Sequence, residues 1–323
     1  MARAFLTGGS GFIGGHLIKR LVAEGWSVRA LARSESSAAK VRERGAEPVM
    51  GDLDDVDSMR GGAQGCKYAF HAAATLGEWG RRDDYVRGNV TGTENALKAC
   101  RDARVRRFVH VGTEAALLDG QPLVNADETV PLRPDSRAHY SATKAIAERT
   151  VLDANGVGFE TVVVRPRLVW GPGDTTILPA LVDAVRSGRF AWIGRGNHLT
   201  STTHVANVVE GLGLAATRGR PGQAYFVTDG DPVVFRSFVN DLLRTAGVDP
   251  PTRNVPLGVA RPAAAVCEGV WGALRRKSPP PLTRLAVWLS ALECTIDISK
   301  ARRELAYEPV KTIAEGMAEL RAA

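Results

Sequence analysis

The sequence predicts an α/β protein: a doubly wound parallel sheet with a smaller, mostly C-terminal lobe. Three observations carry that expectation. Short apolar runs alternate with helix-patterned segments through the first half, a glycine turn joins the first run to the first helix, and small or polar residues recur at the ends of the runs. The 323 residues suit one large α/β domain, or a nucleotide domain with a companion. Residues 1–165 are expected to form the dinucleotide-binding part, with return segments near 204–228. Residues 166–323 are expected to form most of the substrate lobe.

The first element, "RAFLT", is a short apolar strand, followed by "GGSGFIGG" and then by "HLIKRLVAEG", which has helical periodicity ending at Gly25. Gly8, Gly11 and Gly14 give the spacing G-x-x-G-x-x-G. Missing side chains there permit a tight turn, close approach of backbone to a pyrophosphate, and close packing of helix on strand. The helix N-terminus then presents unpaired N–H groups to the phosphates. This is the sequence pattern of a Rossmann sheet.

The second strand, "SVRALAR", ends at Arg33 and Ser34, where an acid would bind the ribose 2′-hydroxyl of NAD. An arginine there accepts a 2′-phosphate, so NADP is favoured over NAD. The third strand, in "AEPVMGDLDD", ends at Asp52 and Leu53, suited to flank an adenine. The fourth, "YAFHAAA", ends in Ala72, Ala73 and Ala74, where backbone must pass close to the cofactor. The fifth, in "RRFVHVGTEA", puts Thr113 at its carboxyl end. After a loop rich in Pro and Asp comes "HYSATKAIAERTV", in which Tyr140 and Lys144 share one face of a helix.

Taken in order, "TGGSGFIG", "GDLDD", "HAAA", "NVTGT", Thr113, "YSATK", "RPRLVWGPGD" and a late "DISKARRELAYEP" resemble the extended short-chain dehydrogenase/reductases (the NAD-dependent epimerase/dehydratase superfamily), most closely the 3β-hydroxysteroid dehydrogenase-like branch. The resemblance implies that Tyr140 is the acid/base, Lys144 its electrostatic partner and ribose ligand, and Thr113 the hydroxyl that orients the substrate oxygen. Chemistry agrees, because a phenol titrating near 10 needs a neighbouring cation to serve at neutral pH. Cofactor contacts are implied for Gly8, Gly11, Phe12, Ile13, Gly14, Arg33, Asp52 and Leu53. They continue through Ala72, Ala73, Ala74, Asn89, Tyr140, Lys144 and Pro166.

The segment "GRGNHLTSTTHVANVVEG" lacks the arginine that grips a nucleotide-sugar diphosphate in other members, which counts against sugar nucleotides. Trp79, Tyr85, Glu114, Trp170, Ile177 and Trp192 are the candidate pocket residues, and bulky apolar linings suit a sterol-like or long-chain ketone or alcohol. Ordinary core packing is the competing reading of each tryptophan. The alternatives are an epimerase or dehydratase with a retained nicotinamide, and a non-catalytic NAD(P)-sensing regulator.

Other features narrow the class. The net charge of +7 is scattered, without a basic stripe carrying aromatics, so no nucleic-acid partner is expected. Cys66, Cys100, Cys267 and Cys294 form no CxxC pair, which argues against a disulfide framework and a zinc site, and no metal is expected. A cytoplasmic homodimer without a stable membrane span is expected. "PLGVARPAAAVCEGVWGAL" is interrupted by Arg261, Pro262 and Glu268, and core or pocket packing is favoured over contact with a membrane surface. His71, His204 and Asn207 read as structural hydrogen-bonding residues, and "RRKSPPP" at 275–281 as a loop that could cover the pocket.

Overall fold

A computed structural model describes residues 2–276 and 278–322. Seven parallel strands form the main sheet: β1 (Arg3–Thr7), β2 (Ser27–Ala32), β3 (Glu47–Met50), β4 (Tyr68–His71), β5 (Arg107–Val111), β6 (Glu160–Pro166) and β7 (Gln223–Val227). Their spatial order is β7-β6-β5-β4-β1-β2-β3. The order reverses between β1 and β4, which opens a crevice at the carboxyl ends of these two central strands.

Both faces of the sheet are buried, and strand periodicity assigns side chains to each. Ala4 and Leu6 of β1 face a core shared with Leu17 and Ile18 of α1 (Phe12–Ala23), while Phe5 faces the opposite core. That second core holds Met59, Ala96, Leu97 and Val151, and β6 alternates in the same way, with Val162 and Val164 on one side and Val163 on the other. Burial on two faces is why these strands read as continuous apolar runs. The flanking helices are α2 (Glu35–Glu43), α3 (Val56–Ala63), α4 (Gly92–Asp102) and α5 (His139–Asp153).

Beyond β6 the chain forms α6 (Ile177–Arg186), returns to the sheet through α7 (Val205–Arg218) and β7, then leaves it again for α8 (Phe235–Thr245), α9 (Leu257–Ala273), α10 (Arg284–Ala291) and α11 (Ile313–Ala322). A small sheet in this second lobe lays Leu199–Thr200 between Val233–Val234 and Cys294–Ile296. Cys294–Ile296 in turn pairs with Leu123–Ala126, a strand from the first half of the chain. The lobes therefore exchange strands in both directions, and no single cut in the sequence separates them.

The second lobe has its own core of Trp170, Trp192, Phe235, Phe238, Leu242 and Met317. The loop 275–281 contains Lys277, which lies outside the described residues. No helix among the described residues is long and apolar enough to cross a membrane, and no cluster of His, Cys, Asp or Glu among them is arranged to hold a metal ion.

Candidate active site

The glycine turn is fixed by backbone crowding. A Cβ on Gly14 would lie 2.2 Å from the Gly8 carbonyl oxygen, and one on Gly8 would lie 2.6 Å from the Ala73 nitrogen, so both must be glycine. Gly8 also has φ +77°, a left-handed conformation that favours glycine. Gly11 is the N-cap of α1 and offers no side chain to its first N–H groups. These groups point to the crevice at the ends of β1 and β4, a cradle that fits a pyrophosphate. Phe12 and Ile13 form the first helical turn, both half-buried.

Arg44 completes the cradle in a way no sequence signal announces. Its guanidinium donates to the carbonyls of Gly9 at 2.6 Å and Gly11 at 3.1 Å, crossing a space that a side chain on Gly15 would fill. Arg33 stands exposed at the end of β2, and the adjacent Ser34 caps α2 by accepting the Ser37 N–H. Glu35, the nearest acid, is held by Arg42 at 2.5 Å. At the end of β3, Asp52 is exposed and accepts the Leu53 N–H at 2.6 Å.

Past β4, Ala72 to Ala74 run half-buried against Gly8. Asn89 lies in one turn of wide π-helix, Val86–Thr91, a local insertion common at functional sites. Its carboxamide accepts the Thr75 N–H at 2.7 Å and donates to the Thr75 carbonyl and the Thr143 hydroxyl, both at 3.1 Å. With those bonds made, Asn89 fastens the loop after β4 to α5 and presents no free group to a cofactor. Pro166 is buried at the end of β6.

On α5, residues 140, 144 and 148 are four apart and share a face. Tyr140 is half-buried at the crevice. Lys144 is buried, with its ammonium donating to the Val111 carbonyl at 2.8 Å and lying 3.2 Å from His110 Nε2. Burial lowers the lysine to about 8, partly opposed by the Glu148 carboxylate. Glu148 is itself neutralised by the buried Arg165, whose Nε donates at 2.7 Å. His110 stacks on His71, which bridges the hydroxyls of Thr7 and Thr93. Burial and the Lys144 charge hold both imidazoles neutral.

Burial pushes the Tyr140 phenol well above its usual value, the Glu114 carboxylate adds to the rise, and the Thr113 hydroxyl opposes it. Thr113 donates to Glu114 Oε2 at 2.8 Å and accepts the Ala115 N–H at 3.2 Å. Glu114 Oε1 receives Arg167 at 2.7 Å, and both charged groups are buried. A line of contacts therefore runs from Arg167 through Glu114 and Thr113 to Tyr140.

Comparison with known proteins bears on this arrangement. The family described as "3-beta hydroxysteroid dehydrogenase/isomerase family" matches residues 5–257. The chain belongs to that family. A 4-hydroxy-2-methyl-3-oxo-4-farnesyl-3,4-dihydroquinoline-1-oxide ketoreductase of Stigmatella aurantiaca is 50% identical, the match covering 99% of this chain and 96% of the relative. A 2-alkyl-3-oxoalkanoate reductase of Stenotrophomonas maltophilia is 37% identical, over 99% and 98%. In fold, the chain is similar to MoeE5 in complex with UDP-glucose and NAD, with a TM-score of 0.76, 23% identity, and coverage of 99% and 98%. The extended short-chain dehydrogenase/reductase resemblance and the doubly wound sheet thus hold for this family member.

The expected pocket residues divide. Tyr85 is buried, with its ring 6.3 Å from that of His139 at the start of α5. Trp79 lies on the loop after β4 and donates its indole N–H to the Arg276 carbonyl at 3.1 Å. Glu114 stands behind Thr113, bonded to it, rather than as an open lining residue. Trp170 and Trp192 are corrections. They are fully buried in the second-lobe core, their indoles donating to Asp229 at 2.8 Å and to the Pro251 carbonyl at 2.7 Å. Ile177 packs against the same core. An indole with an internal hydrogen-bond partner and rings packed edge-on has no face left for a ligand.

His204 and Asn207 are structural, as expected. His204 caps α7, and Asn207 joins α7 to Asp229 and to the backbone at Val310 and Lys311.

Proposed function

We propose that this family member is an NADP-linked ketoreductase that converts a hydrophobic ketone to a secondary alcohol, with Tyr140 as proton donor. The observation that carries the reading is the placement of Tyr140 one helical turn from the buried Lys144 on α5, beside the Thr113 hydroxyl. In the free protein burial and Glu114 hold the phenol above its usual value, so proton transfer depends on Lys144 and the bound cofactor to favour the phenolate. The two relatives named above are both reductases of oxo compounds, which supports the direction of reduction.

The glycine turn, Arg44, and the ends of β2 and β4 would hold the dinucleotide, which supplies the hydride when bound. Tyr140 gives its hydroxyl proton to the ketone oxygen as the carbon is reduced. Lys144 stabilises the phenolate left behind, and its ammonium is fixed from beneath by Val111 and His110. Thr113 orients the oxygen, for which its single proton must turn from Glu114 toward the substrate. Arg33, with Glu35 drawn off by Arg42, supports NADP over NAD through charge-assisted bonds to a 2′-phosphate.

The test is turnover of alkyl ketones and steroid ketones with NADPH and with NADH. NADPH should be consumed mole for mole with ketone, and Tyr140→Phe should lower kcat by about 10²–10⁴-fold while NADPH still binds. Unchanged turnover in that variant would sink the assignment. Turnover without net consumption of cofactor would instead indicate an epimerase that recycles it.

A further inference from the structure

We propose that a cleft lined by Arg137, Arg261, Arg284 and Trp288 binds a soluble organic monoanion with an apolar body. Its volume is about 350 Å³, within the range of small-molecule sites, and it lies where the loop leading into α5 meets α9 and α10. Thr113, Tyr140 and Lys144 do not line it, so it is separate from the reacting centre. Gly120 lines it with φ +97°, a left-handed conformation that favours glycine. A Cβ there would lie 3.1 Å from Arg137 Nη2 and 3.2 Å from Trp288 Nε1. The missing side chain therefore leaves two N–H donors around one small gap.

These donors are incompletely paired. Trp288 is only 5% exposed, yet its indole N–H has no acceptor among the described residues, whereas the indoles of Trp79, Trp170 and Trp192 each have one. A buried N–H without an acceptor is unfavourable, and a ligand oxygen at the Gly120 gap would satisfy it. Arg137 Nη2 gives one hydrogen to the Asp119 carbonyl at 2.7 Å and keeps the other for the same oxygen. The charges leave a surplus. Asp119 pairs with Arg137 at 3.0 Å, Asp135 with Arg133 at 3.0 Å, and Glu268 with Arg284 at 2.6 Å. Arg261 is exposed and has no carboxylate partner among the described residues, so one positive charge is left for a ligand.

A carboxylate matches this set, with one negative charge and two oxygens for guanidinium and indole donors. The rest of the wall is apolar. It consists of Pro262, Ala265, Val287 and the Trp288 ring, over which the Arg137 guanidinium lies at 5.6 Å. An inorganic anion would leave that wall in water, whereas an alkyl or aryl carboxylate would cover it. Such a ligand would also tie α9 and α10 to Arg137, three residues before Tyr140, and so stabilise the fold by mass action. The site does not rest on the ketoreductase reading.

The test is calorimetric titration of the full chain with octanoate, octanamide and inorganic phosphate, with and without excess NADPH. Octanoate should bind about tenfold or more tightly than octanamide, which lacks the charge, and than phosphate, which lacks the apolar body. NADPH should leave its affinity unchanged. Arg261→Glu should weaken octanoate by about tenfold or more and Arg261→Lys by less than about threefold, while both variants unfold at the wild-type temperature without ligand. A wild type that binds no octanoate, or binds octanamide or phosphate equally well, would overturn the proposal. So would unchanged affinity in Arg261→Glu, or loss of octanoate on adding NADPH, which would place the anion in the cofactor crevice. None of these readouts measures turnover, so each stands apart from the test of Tyr140.

Discussion

Lys144 shows how burial sets a working range. In the proposed reaction its ammonium stabilises the Tyr140 phenolate, yet desolvation brings it down to about 8 from the ordinary lysine value. The sign follows directly: below about pH 8 the side chain keeps its proton and its charge, and above it the charge is lost. Ketone reduction should therefore decline as pH rises through about 8, which a pH profile of kcat/KM will show. Glu148→Gln removes the carboxylate that holds the lysine up, so the decline should begin at lower pH in that variant. An alkaline limb unmoved by this change would separate Lys144 from the profile.

Among the elements, the turn between β1 and α1 is the most tightly specified. A methyl on Gly14 would meet the Gly8 carbonyl, which is backbone and has no room to yield. Gly14→Ala should cost about 1–3 kcal/mol of stability and weaken NADPH binding by about tenfold or more, measured by urea unfolding and by cofactor fluorescence titration. Helix α5 works differently. It carries Tyr140, Lys144 and Glu148 along one face, so it holds a neutral phenol and two charged groups in line, with Lys144 bonded at the end of β5 and Glu148 to Arg165 of β6.

In the molecule as a whole, the second lobe is built around tryptophans enclosed in its own core. Trp192→Ala should destabilise the protein by about 3–5 kcal/mol, seen in thermal or urea unfolding, with the ranking of ketone substrates unchanged. A changed substrate ranking at unchanged stability would return Trp192 to the pocket.

How much of this was legible beforehand follows from how local each feature is. The glycine turn, the strand ends at Thr113 and Ala72 to Ala74, and the Tyr140–Lys144 spacing rest on contacts between residues near in sequence or on fixed strand-helix order. The amino-acid sequence by itself therefore determined the sheet, the glycine turn and the placing of Tyr140 and Lys144 on one helix face. Arg44 on the glycine turn, Arg167 on Glu114 and His110 beneath Lys144 join residues 33 to 53 positions apart, and nothing periodic marks them. The same holds for the tryptophans and for α9, since an apolar side chain reads alike whether it meets a core, a ligand or solvent. Only the tertiary structure decided that Trp170 and Trp192 are enclosed while one side of α9 is bare. Burial is a property of what the rest of the chain places alongside a residue, and periodicity alone leaves that open.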